Sequence, residues 1–261
     1  MRTTASTALI CWALASCPDS VAGAPLTAFR AAKESFALYE PIFVEVSVEN
    51  SEGREIRVDL GKNRKGHLVF DVISPDGSQH DDLRLPDPGA GSTGGVAVAP
   101  GETYRQQVLL NEWFPFREPG TYRVFARVDG GSPSTLLIRI EPRDDKALHV
   151  VCSDLVQRIL QAKGHEQLEL ARAFSYIEDP VAVPYVARML SADALFHSQY
   201  LLLVSLERIG TPAAAEVLIS TLKSKDEDSR DLARDALSRL AGQTSNEALR
   251  DRIRSALRGD P

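Results

Sequence analysis

Three cysteines in 261 residues cannot build a disulfide framework, so the fold must rest on buried apolar surface. Cations are not in excess: 30 Lys and Arg against 36 Asp and Glu leave a net charge of -6. Neutralising phosphates needs a concentrated basic face, so nucleic acid is set aside as a main partner. No apolar run reaches the roughly 20 residues that a membrane-spanning helix needs. A phosphate loop, G-x-S-x-G, H-E-x-x-H and paired Cys-x-x-Cys are all missing, and the five histidines, His67, His80, His149, His165 and His197, are scattered. No enzyme activity and no cofactor is therefore expected. What remains is ordinary globular composition, 43% hydrophobic and 25% charged, in a length that suits one large domain or two modest ones.

The first segment reads as a targeting signal over residues 1–16. Arg2 supplies a charge, and Ala8-Leu9-Ile10-Cys11-Trp12-Ala13-Leu14-Ala15 a short apolar core. Leu14-Ala15-Ser16-Cys17 resembles the bacterial lipobox. That resemblance implies a lipidated Cys17 at the mature N-terminus, a membrane anchor and a place in the cell envelope. Ordinary cleavage near Ser20-Val21-Ala22-Gly23-Ala24 is the alternative and implies a secreted or periplasmic chain. Residues 17–27 then form a linker.

Residues 28–142 alternate with period two. Ile42-Phe43-Val44-Glu45-Val46-Ser47-Val48 ends at Asn50-Ser51-Glu52-Gly53, and Leu68-Val69-Phe70-Asp71-Val72-Ile73 runs into the turn Ser74-Pro75-Asp76-Gly77. Residues 56–60, 103–110, 121–128 and 135–140 complete at least six strands. With no helix between them they predict an antiparallel β-sandwich. Residues 85–100, rich in Gly and Pro, predict a long loop without strands. Tyr39-Glu40-Pro41-Ile42, the Asn50 strand end and Pro119-Gly120-Thr121-Tyr122-Arg123-Val124 resemble the immunoglobulin-like modules of exported bacterial proteins. The antibody-type cysteine pair is absent, so the resemblance is one of architecture.

Pro142-Arg143-Asp144-Asp145-Lys146 opens a charged hinge over residues 143–150. Across 151–259 the period changes to that of helices. Phe174, Leu206 and Leu237 lie 32 and 31 residues apart, as do Ile177, Ile209 and Leu240; Pro180 and Pro212 are 32 apart. A helix pair at this period resembles short HEAT-like repeats of the PBS-lyase type, which implies a solenoid that presents an extended surface to protein partners. Tyr200-Leu201-Leu202-Leu203-Val204-Ser205-Leu206 is apolar all round and belongs in mid-stack.

Candidate contact positions on the second helices are Gln199, Glu207, Arg208, Arg234 and Arg239. The aromatic group Trp113, Phe114 and Phe116 reads either as a contact surface or as a plug at one end of the sandwich. Cys152 reads as a small buried hydrophobe, with His149 as the neighbour that a nucleophilic role would need. His80-Asp81-Asp82 and Lys62-Asn63-Arg64-Lys65 read as solvated turns, and His165 and His197 share one repeat position. Together these features predict a noncatalytic envelope protein that binds or scaffolds an unknown protein partner. Inhibition of an envelope protease or other enzyme through the 85–100 or 113–117 loop is the alternative.

Overall fold

A computed structural model describes residues 26–85, 94–129, 131–191 and 199–259. Cys17, the leader and His197 lie outside the described residues. The chain runs through β1 (Leu26–Ala31), β2 (Ser35–Ala37), β3 (Phe43–Glu49), β4 (Ile56–Val58), β5 (Leu68–Ile73), β6 (Gln79–Leu83), β7 (Val96–Val98), β8 (Thr103–Leu109), β9 (Gly120–Val128) and β10 (Ser134–Glu141). Its second half is helical: α1 (Asp145–Gln161), α2 (Gly164–Phe174), α3 (Val183–Leu190), α4 (Gln199–Ile209), α5 (Pro212–Thr221), α6 (Glu227–Gln243) and α7 (Glu247–Arg258).

The strands form a three-stranded sheet in the order β1-β3-β8, a five-stranded sheet in the order β2-β10-β9-β5-β6, and a small β4-β7 pair. Alternation makes the packing: Val44, Val46 and Val48 of β3, Tyr122, Val124 and Ala126 of β9, and Leu136, Ile138 and Ile140 of β10 all turn into one core. Phe70 sits at its middle, wholly buried, edge-on to Phe29 at 6.1 Å and to Trp113 at 5.0 Å. The buried Asn50 closes one end of the core. Its amide donates to the carbonyls of Arg54 (2.9 Å) and Val98 (2.8 Å), while its oxygen accepts from the Glu52 N–H. At Gly120 (φ 142°) a Cβ would lie 2.6 Å from Pro75, so only glycine fits where β9 begins. Just beyond, the Tyr122 hydroxyl donates back to the Glu118 carbonyl at 3.0 Å.

Several boundaries differ from the sequence reading. β1 begins at Leu26, inside the stretch read as linker. β7 lies within the stretch read as strandless, its valines paired across to β4. His80-Asp81-Asp82 is edge strand β6 and not a turn; its outer side faces water, which is why it is polar. β2 runs parallel to β10, so the pairing is not wholly antiparallel. The hinge shrinks to residues 142–144. Asp144 is an N-cap, accepting from the Lys146 and Ala147 N–H groups, and α1 starts directly after it.

The helices pack in two layers. α1, α3, α5 and α7 touch in succession, α2, α4 and α6 do likewise, and the layers meet through α1 with α2 and along the run from α3 to α7. Phe174, Leu206 and Leu237, one from each helix of the second layer, are all fully buried. α4 is enclosed by α2, α3, α5 and α6, so Leu201, Leu202, Leu203, Ser205 and Leu206 are all buried. α7, at the end, buries only Leu249 and Ile253. Side-chain caps from Asp179, Thr211, Asp226 and Asn246 start successive helical segments.

Candidate functional site

The sandwich and the helices meet through charge. Lys65, in the run read as a solvated turn, is instead buried: its Nζ donates to Glu112 at 3.0 Å and to Glu169 of α2 at 2.9 Å. Arg172 completes the group by donating to the other Glu112 oxygen at 3.4 Å. The Glu112 side chain is only 4% exposed, so the two cations offset a carboxylate that has lost nearly all its water. A second tie flanks the connector: Arg143 grips Asp179 with two hydrogen bonds, at 2.6 and 3.1 Å. Burial alone would raise the Asp179 carboxyl, but Arg143 and the Val181 N–H outweigh it and hold it below the usual carboxylate value. Arg117 reaches Glu178 at 3.0 Å as a third, more exposed tie.

Beside the Lys65 group a cleft of about 560 Å³ opens between the two halves. The sandwich contributes Phe43 of β3, Arg64 of the turn before β5, and Tyr104, Arg105 and Gln107 of β8. The helices contribute Arg158, His165, Glu166 and Glu169. Of its cations, Arg105 and Arg158 have only loose ion pairs, each at 3.8 Å, with Glu45 and Asp154. Arg64 forms no ion pair among the described residues. A cleft of about 700 Å³ at the connector has its charges already paired: Lys33 with Glu40, Arg143 with Asp145, and Glu141 with Arg139. Chemistry that remains available to a ligand is therefore concentrated in the first cleft.

The residues singled out by sequence are distributed differently. Trp113 and Phe116 are buried in the sandwich core, with Phe114 packed partly buried against Phe116 and Tyr122. Trp113 and Phe116 thus fill the core as the plug reading expects, while Phe114 keeps part of its ring outside it. The segment does bear on the helices, but through Glu112. Four of the helical candidates brace one helix against another. Gln199 accepts from Ser229, Glu207 receives both donors of Arg239 (2.8 and 2.9 Å), and Arg208 donates to the Ser175 carbonyl (3.0 Å) while stacking 4.3 Å over Tyr176. Arg234 pairs locally with Asp231 on an exposed face. Cys152 is fully buried, and burial pushes its thiol up to about 12, while His149 turns to Tyr185. A thiol so held is no nucleophile. Lys65 escaped sequence reasoning because its partners lie 47 and 104 residues away.

Among the described residues no helix is long and apolar enough to cross a membrane, and no group of three or more His, Cys, Asp or Glu could hold a metal ion. No family model matches the chain, and no curated protein matches it. Among solved structures it is similar to a β-glucosidase from Listeria innocua in complex with isofagomine, at 13% identity and a TM-score of 0.30 over 46% of this chain and 17% of that one. A β-glucosidase from Erythrobacter marinus matches at 18% identity and TM-score 0.30, over 44% of this chain and 15% of that one. The CARDB domain of a Pyrococcus furiosus protein, in complex with di-metal ions, matches at 15% identity and TM-score 0.27, over 46% of this chain and 96% of that domain. The chain spans about a sixth of the length of the glucosidases it matches. Likeness at this level says nothing of activity.

Proposed function

We propose that the chain is a noncatalytic recognition protein of a bacterial cell envelope, exported by its first 16 residues and anchored through lipid on Cys17. In this reading the strand-rich half is an immunoglobulin-like module, to which the Tyr122 bond back to Glu118 is well suited. The helical half is a short HEAT-like stack, a reading supported by its two layers and by rungs such as Arg239–Glu207, 32 residues apart. The observation that carries the function is the buried Lys65–Glu112–Glu169–Arg172 group, which fastens the two halves so that both wall one cleft. A protein partner bound there would touch both halves at once.

Photo-crosslinking groups at Gln107 and at Glu166, one from each wall of the cleft, introduced into the full chain in its native envelope, test this. The same partner is expected at both positions, and crosslinks to no protein from either position would overturn it. For the anchor, mass spectrometry of the mature N-terminus is expected to find acylated Cys17; an unmodified terminus near Gly23 would exclude lipid. Inhibition through the 113–117 segment finds no support in its buried rings, and residues 86–93 of the other loop lie outside the described residues.

A further inference from the structure

The cleft has a feature beyond its charge, which is an open strand edge. Among the described residues β8 pairs with β3 on one side only. The Asn50 N–H donates to the Glu102 carbonyl, and the Leu110 N–H to the Ile42 carbonyl. Since Glu102 and Leu110 face β3, alternation turns the backbone groups of Gln106 and Val108 the same way and those of Arg105 and Gln107 outward. Among the described residues nothing accepts from the outward N–H groups of Arg105 and Gln107. Both residues line the cleft, beside Arg64, Arg158 and His165.

A free edge in a protein of this kind is normally blunted or covered, since it is a template for another strand. Here it is left open inside a cleft flanked by three loosely engaged arginines. Among the lining acids, Glu169 is already bonded to Lys65, leaving Glu166 as the opposing charge. Resting on the protein-binding reading above, we infer that β8 accepts an extended acidic segment of a partner protein as an added strand. The backbone of Arg105 and Gln107 supplies the ladder, and Arg64, Arg105 and Arg158 select carboxylates on the incoming segment. Main-chain pairing gives such a complex its affinity and the flanking charges its choice of partner.

The test uses the isotope-labelled chain and two short peptides, one alternating valine with glutamate and one alternating valine with lysine. The glutamate peptide is expected to bind more tightly and to move the amide signals of Arg105 and Gln107. Gln107→Pro, which deletes an outward N–H while leaving the β3 ladder, should abolish binding. Arg158→Glu, on the surface of a helix, should weaken it about tenfold without touching the strand. The inference is overturned if the lysine peptide binds as well, if the shifts fall outside the cleft, or if Arg158→Glu has no effect. It is overturned as well if neither peptide binds at millimolar concentration. Should crosslinks from Gln107 and Glu166 still trap a common protein, this inference alone would fall and the recognition function would stand.

Discussion

The two halves of the chain reach a dry interior by opposite routes. In the strand-rich half, rings from distant points of the chain converge: Phe29 of β1 and Trp113 just past β8 both meet Phe70 of β5 edge-on. In the helices the interior is mainly leucine, alanine and isoleucine, and each helix meets only its near neighbours. Nonlocal closure makes a core fail as a whole, whereas nearest-neighbour stacking lets an end fray while the middle holds. Phe70→Ala should sharpen this contrast most, costing about 4 kcal/mol and removing hydrogen-exchange protection from β3, β5, β9 and β10 together. Ile253→Ala, at the end of the stack, should lose protection in α7 and the facing turn of α6 and leave α4 untouched. If Ile253→Ala released every helix at once, the contrast would be broken.

Between the halves sits the Lys65 group, whose removal asks whether the two behave as one body. Lys65→Met leaves Glu112 buried with a single cation, Arg172, at 3.4 Å. Stripping one partner from a buried pair costs about 3 kcal/mol. The expected thermal profile changes from one transition to two, with the sandwich and the helices melting separately. Restoring a single transition by Lys65→Met with Glu112→Met would identify the stranded carboxylate as the cause. A single unshifted transition in Lys65→Met alone would show that the group does not couple the halves.

What could be read beforehand follows the same division. Strands with one face buried, such as β3 and β9, declare themselves by alternation, and the helices by their 3.6-residue period and by Pro180 and Pro212. β2 and β7 have three residues each and β6 is an exposed polar edge, so none carries a pattern long enough to read. The first turns of α1 hid behind Asp144 and Asp145, charges that serve a cap as readily as a hinge. The cleft was invisible for a different reason. A lysine in Lys62-Asn63-Arg64-Lys65 becomes an interior anchor only through Glu112 and Glu169, and partnership at such separation leaves no local trace. Arg208 of α4 and Arg239 of α6 likewise find different acceptors, a carbonyl for one and a carboxylate for the other.

Cys152 separates packing from chemistry in the first helix. With its thiol pushed up to about 12 by burial, it should react with maleimide at pH 8 only as fast as the helices open. Cys152→Ser should cost about 2 kcal/mol, because a hydroxyl there finds no water. Cys152→Ala should be milder, since it strands no polar group. Rapid labelling located at Cys152 by peptide mass spectrometry of the folded chain would contradict the buried assignment.

The smallest effect concerns the connector, where Arg143 is partly in water and the tie to Asp179 is correspondingly screened. The Asp179 carboxyl is held below its ordinary value of 3.8 in the folded chain. A depressed carboxyl adds stability that is complete above the unfolded value and fades as the pH falls through the folded one. Asp76, Asp82, Asp129, Glu216 and Asp226 are lowered too, so the whole protein should weaken in acid. Asp179→Asn isolates one term by leaving those five unchanged. The variant should be less stable than the parent near neutrality, and the gap should close as the pH drops below about 4. Denaturant melts at a series of pH values measure that gap directly, and a gap of constant size from neutral to strongly acid solution would mean that the folded chain does not hold the Asp179 carboxyl below its ordinary value.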